Sequence, residues 1–151
     1  MNTSGDGVPP VRLLDEAEIA RLLRTARTIA VVGASSNPAR PSNGVLRTLI
    51  AAGYTCVPVN PMETEVCGLT AVATLSEAAA ALGGRIDIVD VFRRPELTEE
   101  IAREAVAVGA GALWLQLGVI NWKSARIAAE AGLGVVMDRC TAIELRHLPP
   151  V

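Results

Sequence analysis

The chain has 151 residues and a net charge of −2, and half of its residues are hydrophobic although only 3% are aromatic. This length suits one domain whose core is built from Ala, Val, Leu and Ile. The charge gives no general attraction to nucleic acid or to an anionic membrane, and the longest apolar runs are too short to span a bilayer. Three cysteines without close pairing argue against both a disulfide framework and a zinc site. Because the N-terminus shows no signal-peptide pattern, we expect a cytoplasmic protein.

The N-terminal residues are rich in Gly, Pro and Ser, so we expect a flexible tail over 1–14 and a single domain over 15–151. Asp15 to Glu18 form a capping-box pattern that predicts a first helix ending near Arg27. Apolar runs then predict strands at 29–32, 54–59, 86–92, 112–117 and 134–137.

Helical patterns fill the segments between these strands. Ser76 is predicted to cap a short Ala-rich helix, and Asn121 a later one. Residues 69–72 could form a further short strand, and Thr141 to Glu144 read as a second capping box. The alternation predicts an α/β protein with a parallel sheet of about five strands and helices on both faces.

In such a sheet the ligand binds outside the carboxyl ends of the strands, where the winding reverses. The first strand is followed by a loop of small residues and then by a helix that begins after Pro41. Backbone N–H groups and the positive end of the helix dipole favour a phosphate at this position, and Arg40 adds a cation. The loop therefore predicts a nucleotide or another phosphate-bearing ligand.

A nicotinamide dinucleotide is the obvious alternative ligand. Its fingerprint, G-x-G-x-x-G, is not met, because Ser35 and Pro38 stand at the second and third glycine positions. The second strand ends in Asn60-Pro61 rather than in an acid that could hold the ribose, and the first carboxylate after it is Glu63. Both departures count against NAD(P).

Five motifs at the predicted strand ends resemble those of the small stand-alone CoA-binding domain proteins, which are similar to the CoA-binding domain of the succinyl-CoA synthetase alpha subunit. They are V-G-A-S-x-x-P-x-R-P-S from Val32, V-N-P from Val59, F-R-R from Phe92, Q-L-G-V from Gln116 and M-D-R-C from Met137. The resemblance implies a Rossmann-like, doubly wound domain that binds coenzyme A, with the pyrophosphate near the first loop.

The predicted coenzyme A site takes its residues from these motifs. They are Gly33, Ala34, Ser35, Ser36, Arg40, Pro41, Ser42, Asn60, Pro61, Phe92, Arg93, Arg94, Gln116, Gly118, Arg139 and Cys140. Coenzyme A carries a pyrophosphate and a ribose phosphate, and guanidinium groups at the strand ends suit phosphate oxygens. The segment from Val59 to Pro61 could flank the adenine.

Two of these residues have a second interpretation. Gln116 contacts the ligand or ties neighbouring loops together. Cys140 either exchanges disulfides with the thiol of coenzyme A or is a small residue at a tight turn. Asp87 and Asp90 interrupt a strand, where Asp is depleted, so one of them is expected to face the cleft or an arginine.

We therefore expect a non-catalytic module that binds coenzyme A or an acyl-CoA, with no metal and no catalytic residue of its own. The alternatives are an NAD(P)-binding domain of oxidoreductase type and one component of a multi-subunit acyl-CoA ligase. A homo-oligomer or an unidentified protein partner stays open.

Overall fold

The computed structural model describes residues 11–150. Its helices are α1 (Glu16–Thr25), α2 (Pro41–Ala51), α3 (Leu75–Ala81), α4 (Thr98–Ala107), α5 (Trp122–Glu130) and α6 (Thr141–Arg146), with a 3₁₀ turn at Pro95–Leu97. Its strands are β1 (Thr28–Val32), β2 (Thr55–Val59), β3 (Glu65–Val66), β4 (Leu69–Thr70), β5 (Ile88–Val91), β6 (Ala112–Leu115) and β7 (Gly134–Val136). None of the helices in this range is long and apolar enough to cross a membrane.

Five strands form one parallel sheet in the order β2-β1-β5-β6-β7. The chain passes from β1 to β2 on one side and then crosses to the other side of β1 to form β5. The winding therefore reverses between β1 and β5, which is where open α/β sheets bind their ligands. The predicted Rossmann-like, doubly wound fold is confirmed.

Helices cover both faces of this sheet, because its strands are buried on both sides. In β1, Ala30 and Val32 pack into the cluster with α3, α4 and α5, while Ile29 and Val31 pack into the cluster with α1, α2 and α6. This explains why the strands are continuous apolar runs rather than alternating patterns. Asp90 follows the alternation of β5 and points to the α2 and α6 side.

Two of the predicted helix starts are confirmed. Asp15 and Glu18 exchange side-chain and backbone hydrogen bonds in a full capping box at α1. The Asn121 side chain accepts a hydrogen bond from the Ser124 N–H at 3.1 Å and so caps α5.

Two other local predictions, the helix caps at Ser76 and at Thr141, are wrong. The cap of α3 is Thr74, whose hydroxyl accepts the Glu77 N–H, and Ser76 lies inside the helix. The second capping box does not form, because Thr141 is already helical and its hydroxyl bonds to a buried carboxylate instead. The further short strand that residues 69–72 could form is present as the two-residue β4, which pairs antiparallel with β3, while Val72 makes an isolated bridge to Val59.

The two ends of the described chain lie together. The Leu14 N–H donates to the Val135 carbonyl at 2.9 Å, which extends the edge of the sheet beside β7. The Arg24 guanidinium of α1 donates to the carbonyl of Pro149. Of the tail predicted over 1–14, residues 1–10 lie outside the described residues, while Val11 and Leu13 pack against the core.

Candidate functional site

The carboxyl ends of the parallel strands open into one cleft of about 760 Å³, a size typical of small-molecule sites. Twelve of the predicted site residues line it: Gly33, Ser35, Arg40, Pro41, Ser42, Asn60, Phe92, Arg93, Arg94, Gln116, Gly118 and Cys140. The motifs after β1, β2, β5 and β6, together with the residue before α6, thus meet in one place, as the parallel topology requires.

Gly33 stands at the point where the winding reverses. Its φ is +84°, and a Cβ built on it would lie 2.6 Å from the carbonyl oxygen of Phe92. A side chain there would be strained and would also collide with backbone. Glycine lets the turns after β1 and β5 approach each other, and Gly33 and Phe92 both line the cleft at this point.

The β1–α2 loop, residues 33–40, is held by side chains from outside it. The Ser42 hydroxyl accepts the Ser35 N–H at 3.1 Å, and Asn43 Nδ2 donates to the Ser35 carbonyl at 2.9 Å. Asn60 Nδ2 donates to the Ala34 carbonyl at 2.9 Å, so the end of β2 also fixes the loop. The predicted residues Ser42 and Asn60 therefore shape the backbone beside the cleft.

Glu63 binds the β1–α2 loop, a role that the sequence analysis did not assign to it. Its carboxylate accepts the Ser36 N–H at 2.7 Å and the Ser36 hydroxyl at 2.9 Å. The first acid after β2 thus binds the loop itself. It occupies one of the amide groups that the sequence suggested for phosphate.

Three arginines supply positive charge at the mouth of the cleft. Arg40 precedes α2, while Arg93 and Arg94 follow β5, and all three side chains are exposed. Within residues 11–150, none of them makes an ion pair. Their guanidinium groups are therefore available to an anionic ligand.

Four predicted site residues are not in the cleft lining. Ala34 is fully buried, Ser36 is held by Glu63, and Pro61 is exposed outside the cleft. Arg139 pairs with Glu16 at 2.6 Å and with Glu144 at 3.2 Å, which joins α1 to α6. For these four, a ligand contact stays a prediction.

Below the cleft lies a polar ring, formed by the side chains of Asp90, Gln116 and Thr141. Gln116 Nε2 donates to Asp90 Oδ1 and, at 3.1 Å, to Thr141 Oγ1, and Thr141 Oγ1 donates to Asp90 Oδ2 at 3.1 Å. Asp90 is completely buried. Burial raises its pKa to about 7, although the hydrogen bonds from Gln116 and Thr141 lower it.

Cys140 is a free, half-buried thiol at the edge of the cleft, directly before α6. Both interpretations of Cys140, exchange with a ligand thiol and a small residue at a tight turn, stay open. The other interrupting acid, Asp87, lies at the opposite end of β5 and pairs with Arg85 at 2.9 Å, as expected for an acid that faces an arginine.

Apolar side chains that sequence reasoning missed complete the lining. They are Val45, Pro95, Leu97, Leu117 and Val119. Val45 belongs to the apolar stripe of α2, so its periodicity indicates core and not cleft. Leu117 has the better signal in the sequence, because it is a large apolar residue inside the Q-L-G-V motif at a strand end, and the structure shows it 58% exposed.

Comparison with known proteins agrees with this geometry. Residues 27–146 match the family model described as a CoA binding domain. The chain belongs to this family. The match runs from the start of β1 to the end of α6, so it covers every element that lines the cleft.

Members and structural relatives extend the comparison. The chain is 39% identical over 128 residues to the uncharacterized protein YneT of Bacillus subtilis (strain 168), covering 85% of this chain and 92% of that one. It is 34% identical to the solved structure of a hypothetical protein from Pyrococcus horikoshii OT3, with a TM-score of 0.84 over 93% of this chain and 98% of that one. The dinucleotide-forming acetyl-coenzyme A synthetase 1 of Ca. Korarchaeum cryptofilum shares the fold, with 20% identity and a TM-score of 0.64 over 78% of this chain and 28% of that one.

Proposed function

We propose that this protein binds coenzyme A or an acyl-CoA in the cleft and acts as a binding, carrier or regulatory module without catalytic activity of its own. The observation that carries the proposal is the set of three arginines at the point where the sheet winding reverses, which make no ion pair within residues 11–150. Membership of the CoA-binding family supports the same ligand.

The negative charge of coenzyme A suits these three arginines. Coenzyme A bears a pyrophosphate and a ribose phosphate, so it needs more cations than NAD does, and guanidinium forks bind phosphate oxygens in pairs. Arg40 is the last residue of the β1–α2 loop, and the Arg93 side chain approaches Gly33 at the start of that loop, with Arg94 next to it in the same cleft lining. A pyrophosphate over this loop would lie between them.

The rest of the ligand follows from the strand order. The adenine would lie toward β2, where Asn60 closes the cleft, and the pantetheine arm would lie toward β5, β6 and β7. The apolar side chains Val45, Leu97 and Val119 suit the methylene groups of that arm.

The alternatives find less support in the site. For a nicotinamide dinucleotide, the acid that should hold the ribose is missing at the end of β2, and Glu63 is bound to Ser36 instead. A ligase component would need a phosphate-carrying group, and the only histidine, His147, is exposed outside the cleft lining.

Calorimetric titration of the purified protein with coenzyme A, acetyl-CoA, NAD and NADP tests the proposal. We expect micromolar binding of a coenzyme A species, about −8 kcal/mol, and no heat from the nicotinamide cofactors. Binding of NAD or NADP alone, or of none of the four, would overturn it. Formation of acyl-CoA by this chain alone from an acid, coenzyme A and a nucleoside triphosphate would overturn the non-catalytic role.

A further inference from the structure

The polar ring below the cleft fixes the direction in which the Gln116 amide points. Gln116 Nε2 gives one hydrogen to Asp90 Oδ1 and the other to Thr141 Oγ1, and Thr141 gives its hydrogen to Asp90 Oδ2. An ionised carboxylate only accepts hydrogen bonds and an amide nitrogen only donates them. While Asp90 is ionised, the amide cannot be reversed without losing both bonds.

The amide oxygen is therefore turned away from the ring. Gln116 Oε1 receives no hydrogen bond from the described residues, and no fully enclosed side-chain oxygen among them lacks a partner. Gln116 itself is only 4% exposed and lines the cleft. Its Oε1 is thus an acceptor open to the cleft on an otherwise buried, rigidly held side chain.

The place of this acceptor limits the group that it can bind. Gln116 follows β6, which lies two strands from β1, so Oε1 is roughly 10 Å from the β1–α2 loop along the sheet. A phosphate, which carries only acceptors at neutral pH, would be repelled there. The acceptor requires a donor, and the neighbouring Val119 and Leu117 are apolar.

We propose that Gln116 Oε1 accepts a hydrogen bond from an amide N–H of the pantetheine arm, and that Asp90 and Thr141 are positioning residues that hold this oxygen toward the ligand. The inference rests on the proposed binding of coenzyme A. It gives the cleft a means of selecting the pantetheine arm in addition to the phosphates.

Protonation of Asp90 would release this constraint. A neutral carboxyl group donates a hydrogen bond, which the Gln116 oxygen can accept if the amide turns over, and the cleft would then meet Nε2, a donor. Affinity for the pantetheine arm should therefore fall as the pH drops through the pKa of Asp90, to which burial gives a value of about 7.

The neighbours of Asp90 on the elements packed against it are as follows. On the adjacent strands it pairs with Val31 and Trp114, and the Cys56 thiol of β2 has a pKa raised to about 12 by burial and by the charge of Asp90. On α6, Glu144 is paired with Arg139. On α2, Arg47 is exposed to solvent.

The test compares coenzyme A with adenosine 3′,5′-bisphosphate, which lacks the pantetheine arm. In wild-type protein, the ratio of coenzyme A affinity to bisphosphate affinity, divided by the same ratio in Asp90→Asn, should rise about threefold or more from pH 5.5 to pH 8.5, as expected for gain of one hydrogen bond. Division by the variant cancels titration of the ribose phosphate that both ligands share and of the 5′-phosphate that titrates only in the bisphosphate.

Gln116→Met removes the acceptor and nearly keeps the length of the side chain. We expect coenzyme A to bind about fivefold more weakly and the bisphosphate to bind within twofold of wild type. A ratio that changes with pH to the same extent in wild type and in Asp90→Asn, or equal losses for both ligands in Gln116→Met, would overturn the inference and leave the proposed function intact. Absence of coenzyme A binding by wild-type protein would overturn both.

Discussion

The polar groups at the two ends of the cleft differ in their exposure to solvent and in whether they have partners within the described chain. At the β1–α2 loop, Arg40, Arg93 and Arg94 are exposed and make no ion pair within the described chain. At the polar ring, Asp90 and Gln116 are buried and every hydrogen of the ring has an acceptor.

The exposed arginines therefore attract the ligand, whereas the buried polar ring orients it. Exposed charges attract a phosphate at long range, but salt screens them, and they fix the ligand only when it arrives. A buried, closed ring acts only at contact, but it fixes the direction of a single oxygen before binding. Substitutions at the two ends should therefore change different measured quantities.

The largest effect is expected on the free energy of unfolding, when Asp90 of the polar ring is substituted. Burial raises the pKa of Asp90 from 3.8 to about 7 in the folded protein, so the folded state keeps a proton that the unfolded chain releases. Stability from this group is present below pH 4 and is lost as the pH rises to 7, by roughly 4 kcal/mol. Relative to wild type, Asp90→Asn should therefore gain free energy of unfolding between pH 4.5 and pH 7.5 in denaturant titrations.

Asp87→Asn, directly before the same strand, is the matched control, and the expected change in stability has the opposite sign. Partial burial raises the pKa of Asp87, but hydrogen bonds from Arg85 and from the N–H groups of Arg27 and Thr28 outweigh it and lower the pKa. Its contribution is present above pH 4 and lost in acid, so this variant should lose stability at neutral pH. The same pH trend in both variants would contradict the assignment at Asp90.

The next effect is expected between the two ends, at Gly33. Gly33→Ala places a Cβ 2.6 Å from the Phe92 carbonyl at a φ of +84°. We expect a loss of roughly 2–3 kcal/mol in the free energy of unfolding and weaker coenzyme A binding, because the loops after β1 and β5 must separate.

Gly44→Ala controls for loss of a glycine. Gly44 lies within α2, and a Cβ there meets nothing within 4 Å. The substitution should stabilise the protein by about 0.5–1 kcal/mol, since alanine favours the helix, and leave the affinity unchanged. Equal destabilisation by both substitutions would show that the close approach at Gly33 is unimportant.

The smallest effect on stability is expected at the arginine end, where only affinity should change. Arg93→Glu reverses an exposed charge in the cleft and should weaken coenzyme A binding roughly tenfold, about 1.4 kcal/mol, more strongly at low salt. Arg40→Ala should cause a smaller loss in the same titration. Neither substitution should lower the unfolding temperature.

Arg47→Glu makes the same change of charge on an exposed position of α2 outside the cleft lining. It should leave the affinity within about twofold of wild type, because distant exposed charges are screened. An equal loss in Arg47→Glu and Arg93→Glu would mean that net charge, and not the cleft, accounts for the effect.

The fold was accessible from the sequence because its determinants are local. Each strand of the parallel sheet is an apolar run, and each is followed by a loop of small or polar residues, so the topology brings the motif residues together. The partners of the polar side chains could not be predicted from the sequence in this way. Thr141 matches the first position of a capping box, yet its hydroxyl bonds to Asp90, which lies fifty-one residues earlier in the chain.

Arg139 shows the same limit. It stands beside Cys140 in a strand-end motif, which suggested the ligand, but its guanidinium group pairs with Glu16 in the first helix. Nothing near Arg139 in the sequence indicates that partner. The one useful local signal was an acid inside a strand, and Asp90 proves to be the centre of the buried ring.

The ion pairs of Arg139 with Glu16 and Glu144 hold the first and last helices side by side. The hydrogen bond from the Leu14 N–H to the Val135 carbonyl adds a second contact between the two ends of the described chain. A circular permutant in which a flexible linker joins residue 150 to residue 11, with new ends in the exposed turn at Gly83 and Gly84, would keep these contacts and the whole cleft. The structure of the site therefore does not depend on the order in which its helices and strands follow one another along the chain.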